Sequence, residues 1–127
     1  MGDVSLNVPA RPDFLHVVRA VVSGVAARRG LLYDAIDDLC LAANEAAAYL
    51  LAVPGGGRRM CVRMRVEDDI ELTFMTDAPV QHWPPPIKQS LAWRILKSLV
   101  DDVAFVLEEG CPAIRLSMRG PLRRRDS

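Results

Sequence analysis

The sequence predicts an α+β fold, a two-layer sandwich in which a mainly antiparallel sheet is covered by helices on one face. Five short runs alternate apolar and polar residues, which is typical of half-buried strands. Three longer segments carry helical patterns instead. Four of the five strands come in adjacent pairs, and adjacent strands form antiparallel hairpins with short connections.

The chain opens with a strand and then a helix. Residues Val4–Val8 alternate apolar and polar side chains, and Pro9 is expected to end the strand. A helix is predicted from Pro12, and Gly30 is expected to stop it. Its apolar stripe repeats at three- and four-residue steps and comprises Phe14, Val17, Val18, Val21, Val22 and Val25.

The second predicted helix begins at Asp34, which can cap its first turn, and runs to about Val53. Pro54 and the glycines Gly55–Gly57 then break regular structure. No Lys-Ser or Lys-Thr follows these glycines, so a phosphate-binding P-loop is excluded on spacing.

The second half predicts a hairpin, a loop, a helix and two strands. The alternating runs 60–66 and 70–76 form the hairpin, and the proline-rich segment 76–86 is expected to be a loop. A third helix is predicted from about Ile87, with a buried stripe of Leu91, Ile95, Leu96, Leu99 and Val100. The last two strands are predicted at Val103–Leu107 and Ile114–Met118.

Length and charge restrict the classes of function. With 127 residues the chain fits one domain, assigned to 1–120, followed by a basic tail at 121–127 that is expected to be disordered and without function. Sixteen basic and sixteen acidic residues cancel, so no global field favours nucleic acid or a membrane surface. No apolar run is long enough to span a membrane, and no signal peptide is evident. We expect a cytoplasmic protein that binds other proteins.

The three cysteines do not suggest a metal site or a disulfide framework. Cys40, Cys61 and Cys111 are widely separated, form no CxxC pair, and have only two histidines as companions. Cys40 and Cys61 are expected to pack in the core, whereas Cys111 is expected to be the most exposed and the one conceivable redox site.

Glu45 is the first candidate for a functional residue. Between Leu39 and Val53 the only polar side chains are Asn44, Glu45 and Tyr49, so this helix is predicted to be buried on most sides. A carboxylate in such a helix is costly unless it lies at a rim, is hydrogen-bonded, or serves chemistry.

The stretch Leu41-Ala42-Ala43-Asn44-Glu45-Ala46 resembles the N-box helix of the RsbW/SpoIIAB-type anti-sigma factors, which belong to the GHKL ATPase superfamily. The resemblance extends from about Asn7 to Met118 and implies the histidine-kinase-type ATPase fold. It implies that Glu45 would be the general base of an ATP-dependent kinase and that Asp77 would bind the adenine base of ATP.

The nucleotide motifs depart from that family at three points. The family has a magnesium-binding asparagine where this chain has Tyr49, and Asn44 lies about one turn out of place. Magnesium requires small oxygen donors in tight octahedral geometry, which a phenol does not supply. The family's Asp-x-Gly-x-Gly box is replaced by Asp77-Ala78-Pro79-Val80-Gln81. Ser90–Leu96 replaces a further glycine box, and this segment resembles divergent anti-sigma factors of actinobacteria.

Three further residues are candidates for partner binding. Arg11 and Arg19 flank or lie on the first helix, off its apolar stripe, and arginine suits bidentate pairing with carboxylates. Trp83 lies in a stiff, proline-rich segment and could be an exposed interface anchor. The alternative is that Trp83 covers the vacated nucleotide cleft while Trp93 packs in the core.

The leading hypothesis is an anti-sigma-like regulator that binds a sigma factor, and an anti-anti-sigma (STAS) protein in competition with it. Homodimerisation is implied by the resemblance, and we expect neither a resident cofactor nor a metal. The second hypothesis is an ATP- and magnesium-dependent serine protein kinase acting on the anti-anti-sigma protein. A third hypothesis is a remodelled pocket that binds another small molecule.

Overall fold

A computed structural model of the chain describes residues 2–53, 57–78, 83–85 and 90–119. The predicted break at Pro54, the third-helix start near Ile87 and the tail 121–127 lie outside these residues. The structure contains β1 (Gly2–Pro9), α1 (Leu15–Arg29), α2 (Tyr33–Leu51), β2 (Arg59–Val66), β3 (Ile70–Thr76), α3 (Leu91–Leu99), β4 (Asp102–Glu108) and β5 (Cys111–Met118), with a short 3₁₀ helix at Pro12–Phe14.

The strands form one five-stranded sheet in the order β1-β2-β3-β5-β4. Every neighbouring pair is antiparallel. Glu109 and Gly110 join β4 to β5 with positive φ angles of 52° and 79°, as in the two-residue turns whose twist matches that of the flanking strands. The predicted fold class, an antiparallel sheet in a two-layer α+β sandwich, is confirmed.

The core lies between the sheet and the three helices. On the covered face the strands bury alternate apolar side chains, namely Met60, Val62, Met64, Val66, Ile70, Leu72, Phe74, Ile114 and Leu116. The opposite face carries Arg63, Arg65 and Arg115. Helix α2 lies in the middle, in contact with α1, α3, β3 and β5. Its alanines Ala42, Ala43, Ala46 and Ala47 are fully buried.

Helix ends are partly as the sequence predicts. Gly30 ends α1 in the left-handed conformation with φ of 91°, as expected. The prediction that Asp34 caps α2 is wrong, because Leu32 occupies the cap and Asp34 lies in the first turn, where a carboxylate favours the helix dipole. Helix α3 begins at Leu91, where the Ser90 hydroxyl accepts a 3.1 Å hydrogen bond from the Trp93 backbone N–H.

Two predicted apolar patterns are less buried than expected. In β1 only Val8 is buried and Val4 is exposed, because β1 is an edge strand with a neighbour on one side only. Leu91 is 68% exposed, so it does not belong to the buried stripe of α3. It occupies the first position of that helix, whereas Leu96 in the last turn is fully buried.

Candidate functional site

The middle of α2 brings Glu45 to the edge of the helical layer. Glu45 is half-buried, whereas its neighbours Ala43 and Ala46 are fully buried. The glutamate therefore lies at a rim rather than inside the core, which lowers the cost of keeping it charged. Residues four apart share a helix face, so the next side chain along this face is Tyr49.

Beside Glu45, helices α1 and α2 are joined by a polar contact. The Arg19 guanidinium donates a 2.6 Å hydrogen bond to Asn44 Oδ1. Arg19 is exposed, as the sequence predicts. The Cys40 thiol donates to the Arg19 backbone carbonyl at 3.9 Å, and burial raises the pKa of this thiol above its ordinary value.

Three aromatic rings form a cluster around Tyr49. The ring centroids of Trp83 and Phe105 are 5.5 Å apart with an interplanar angle of 11°, so these rings are stacked. The Tyr49 ring meets Phe105 edge to face at 5.3 Å and lies 6.0 Å from Trp83. These distances lie in the favourable range for aromatic pairs. We call Tyr49, Trp83 and Phe105 the aromatic cluster.

A hydrogen bond, as well as packing, holds Trp83 in this cluster. Its indole Nε1 donates a 2.6 Å hydrogen bond to the Val106 backbone carbonyl of β4. The residue is 8% exposed. Of the two readings of Trp83, the exposed anchor is wrong, and burial agrees with the alternative that Trp83 covers part of the molecule. The indole gains both a buried surface and a polar partner by packing onto β4. Its role in partner binding stays a prediction.

Tyr49 differs in chemistry from the magnesium ligand that the resemblance implies. The position at which the resemblance implies a magnesium-binding amide holds a phenol whose ring packs on Trp83 and Phe105. Magnesium takes small oxygen donors and keeps several waters, and aromatic carbon supplies neither donors nor space. Within the described residues no group of three or more histidine, cysteine, aspartate or glutamate side chains could hold a metal ion.

Asp77 links two neighbouring strands through hydrogen bonds. Its Oδ1 accepts hydrogen bonds from the backbone N–H groups of Arg58 at 2.7 Å and Arg59 at 3.3 Å. Burial acts to raise the pKa of Asp77, but these backbone hydrogen bonds outweigh it and hold the pKa below its ordinary value. The carboxylate thus ties the end of β3 to the start of β2, a contact that the sequence does not reveal.

Arg11 is held locally. Its guanidinium makes a two-point contact with the Asp13 carboxylate, at 3.1 Å through Nε and 2.9 Å through a terminal nitrogen. Both side chains are largely exposed, at 66% and 59%. The structure brings Arg19 together with Asn44, and Tyr49 together with Trp83. Arg11 and Asp77 belong to neither group, because Arg11 pairs with Asp13 and Asp77 binds the backbone of Arg58 and Arg59.

Sequence reasoning missed Phe105. It stands in an ordinary strand alternation, and nothing in the local pattern distinguishes it from any other core residue. Cysteine placement was also only partly foreseen, because Cys40, Cys61 and Cys111 are all half-buried and Cys111 begins β5 instead of lying in a turn.

No model of a known protein family matches the chain. Among curated proteins, the serine-protein kinase RsbW of Bacillus subtilis (strain 168) is 44% identical over 43 residues, which cover 34% of this chain and 27% of that protein. The RsbW of Bacillus cereus (strain B4264) is 23% identical over an alignment 129 positions long, which covers 84% of this chain and 79% of that protein. The match to the Bacillus subtilis protein thus spans about a quarter of that relative's length.

A solved structure gives the same fold. The RsbU and RsbW domains of Rv1364c from Mycobacterium tuberculosis match with a TM-score of 0.69 and 17% identity, covering 94% of this chain and 32% of that chain. The family resemblance predicted from the second helix is confirmed by these relatives.

In the described part of the chain, no helix is long and apolar enough to cross a membrane.

Proposed function

We propose that this chain, a relative of the serine-protein kinases RsbW, regulates transcription by binding a sigma factor without turning over ATP. An anti-anti-sigma (STAS) protein would compete for the same surface and release the sigma factor. The observation that supports the proposal most directly is the aromatic cluster, which holds Tyr49 against Trp83 and Phe105 one turn beyond Glu45.

Two independent features of the chain oppose nucleotide turnover. Ionised phosphates need magnesium or several polar donors, and the ring of Tyr49 puts carbon where the resemblance implies an amide oxygen. In addition, Asp77 is followed in the sequence by Ala78 and Pro79, and proline offers neither a backbone donor nor the glycine torsions of the family's box. Restoring a nucleotide site would require changes at both places.

The kinase alternative rests on Glu45. This residue keeps the position of the family's general base and is half-buried at a rim, a suitable place for a base. The relatives bear the name of serine-protein kinases. In this alternative ATP and magnesium would bind after the aromatic cluster opens, and Asp77 would have to exchange its backbone partners for adenine.

For the partner surface we propose the side of α1 that carries Arg19. The hydrogen bond to Asn44 orients the guanidinium in advance, and an oriented arginine loses less conformational freedom when it binds a carboxylate. Arg11 is exposed but already paired with Asp13, so its contribution would be smaller. Homodimerisation and a cytoplasmic location belong to the same proposal.

Calorimetric titration of magnesium-ATP into the purified chain tests the nucleotide part. We expect no binding up to millimolar concentrations. Micromolar binding, together with transfer of labelled phosphate to a STAS protein that is lost in Glu45→Ala, would replace the proposal with the kinase alternative.

Co-purification with each sigma factor of the source organism tests the partner part. We expect one sigma factor to be retained, with binding weakened about tenfold or more by Arg19→Ala. Arg28→Ala is the matched control, since Arg28 is an exposed arginine on the same helix. If no sigma factor binds, or if both variants weaken binding equally, the proposed surface is wrong.

A further inference from the structure

The two edges of the sheet differ in how they are covered. The strand order places β1 at one edge and β4 at the other. On β4 the Val106 carbonyl already accepts the hydrogen bond from the Trp83 indole. On β1 every residue except Leu6 and Val8 is exposed. The edge at β1 is therefore the one that is open to another strand.

The backbone groups of β1 that face away from β2 belong to Asp3, Ser5 and Asn7. The Ala10 backbone N–H donates a 2.9 Å hydrogen bond to the Arg58 carbonyl, which fixes the phase of the ladder between β1 and β2. In an antiparallel ladder, residues that bond to the neighbouring strand alternate with residues whose N–H and C=O point away. The even-numbered residues of β1 thus bond to β2, and the odd-numbered residues point outward. Among the described residues, no backbone group bonds to them on that side.

Strand β1 also lacks the features with which proteins usually protect an edge. Its pairing with β2 runs from Gly2 opposite Val66 to Pro9 opposite Arg59 without a bulge. It contains no lysine, its one proline is at its end, and Asp3 is its only charged residue. Edge strands that stay unpaired usually carry lysines, inner prolines or bulges. The composition of β1 is therefore suited to pairing with another strand.

A second copy of β1 fits this edge when the two strands run antiparallel with a two-fold axis at Ser5. Only the outward residues offer free N–H and C=O groups, so they must lie opposite one another. The axis at Ser5 places Asp3 opposite Asn7 of the second copy and Ser5 opposite its own counterpart. Each of these pairs exchanges two hydrogen bonds, and no like charges lie opposite each other. All three outward residues of both copies are then paired.

Neighbouring registers are less favourable. An axis at Asp3 would set two carboxylates directly opposite each other, which is destabilising in a sheet. An axis at Leu6 would set Asp3 opposite Pro9, which has no N–H to donate. An axis at Val4 would carry Asn7 beyond the start of β1 in the second copy. Charge and hydrogen bonding therefore both select the axis at Ser5.

The side chains on the helix-covered face agree with this register. Leu6 of the second copy comes opposite Val4, which is 38% exposed in the single chain. At that point lies a pocket of about 190 Å³, lined by Gly2, Asp3, Val4, Val25, Arg28 and Val66. Three of these six side chains are valines, so the pocket is suited to an apolar occupant. Arg28 is exposed, and its charge can stay in solvent while its stem lies along the leucine.

We propose that two copies of this chain associate through β1, antiparallel and with the two-fold axis at Ser5, so that their sheets become continuous and each Leu6 fills the pocket of the other copy. This pairing rests on the homodimer of the proposed function, for which it specifies the surface and the register. Pairing of two strand edges buries little area compared with an obligate interface. We therefore expect a dimer that forms at high micromolar concentration and dissociates on dilution.

Amide hydrogen exchange of the full chain, followed by nuclear magnetic resonance at a high and a low protein concentration, tests the edge. We expect the amides of Asp3, Ser5 and Asn7 to exchange about tenfold or more slowly at the high concentration. The amides of Val4 and Leu6 are the internal control, because they bond to β2 in the single chain as well as in the dimer. Protection of the outward amides that is the same at both concentrations would overturn the proposal, because the edge would then be covered within one chain.

Two pairs of variants, compared by sedimentation equilibrium, test the contacts. Ser5→Pro removes the central outward N–H and no bond to β2, so we expect a monomer at every concentration. Ser5→Ala keeps that N–H and should dimerise like the wild type. Leu6→Ala should weaken the dimer about tenfold or more, because both copies lose the side chain that fills the pocket. Leu41→Ala is its control, since Leu41 is an exposed leucine on α2 and should leave the dimer unchanged.

The results distinguish the surface from the dimer itself. Unchanged amide signals in β3 and β5 show that a variant is folded. A dimer that persists in Ser5→Pro, or one whose outward amides stay unprotected, overturns the pairing through β1 and leaves the proposed homodimer intact. A wild-type chain that is monomeric at every concentration overturns both.

Discussion

The phenol ring of Tyr49 meets the ring of Phe105 edge to face, with centroids 5.3 Å apart and an interplanar angle of 69°. One residue comes from α2 and the other from β4, so this contact closes the space between the helix that carries Glu45 and the edge of the sheet. Trp83 lies against both rings. The aromatic cluster is therefore part of the core as well as the feature that distinguishes this site.

Tyr49→Asn introduces the amide of the related kinases, yet we expect it to yield no magnesium-ATP binding. Trp83 and Phe105 still occupy the space, and the loss of the ring should lower the free energy of unfolding by about 2 kcal/mol. Urea denaturation measures the stability and calorimetry the binding. Tyr49→Phe keeps the ring and should stay close to the wild type. Tight ATP binding by the asparagine variant would show that Tyr49 alone blocks the site.

The two tryptophans should respond differently to replacement by phenylalanine. Trp83→Phe removes the hydrogen bond to the Val106 carbonyl and part of a buried ring, so we expect a loss of about 1–2 kcal/mol. Trp93→Phe should change stability by less than about 0.5 kcal/mol, because the Trp93 indole N–H is buried without a partner among the described residues. Denaturant unfolding compares them. Equal losses would contradict the assigned hydrogen bond.

Asp77 should contribute to stability in a pH-dependent way. Its pKa in the folded chain lies below the ordinary value of 3.8, because hydrogen bonds from Arg58 and Arg59 outweigh the effect of burial. The contribution is therefore fully present above pH 3.8 and is lost as the pH falls through the lower pKa of the folded state. The stability difference between the wild type and Asp77→Asn should shrink over that range. A difference that is constant from pH 6 to the acid limit would contradict this prediction.

Two glycines offer a matched pair of alanine substitutions. A Cβ on Gly57 would collide with the Thr76 hydroxyl and come within 2.6 Å of Asp77 Oδ1, so Gly57→Ala should destabilise the fold by about 1–3 kcal/mol. Gly24 lies inside α1 with nothing within 4 Å of the added atom. Gly24→Ala should therefore stabilise by about 0.5–1 kcal/mol. Thermal unfolding of both variants checks the pair, and two changes of the same sign would contradict it.

What the sequence by itself determined are the features that local periodicity encodes. The hairpin at 60–66 and 70–76 follows from alternation alone, since a shift of one residue would turn every apolar side chain outward. Gly30 ends α1 because glycine adopts a positive φ without steric cost. The stretch around Glu45 was sufficient to identify the resemblance to RsbW, which the relatives confirm.

Only the tertiary structure decided the features that depend on residues distant in the chain. Trp83 lies within a proline-rich segment that has no periodicity, and its burial depends on Phe105 and the Val106 carbonyl, more than twenty residues away. From the sequence alone Asp77 could bind a ligand, whereas in the structure its carboxylate accepts a hydrogen bond from the backbone N–H of Arg58. A periodic pattern indicates which face of its own helix or strand a side chain occupies. Contacts between elements depend on how the helices and strands pack together, and no local pattern contains that information.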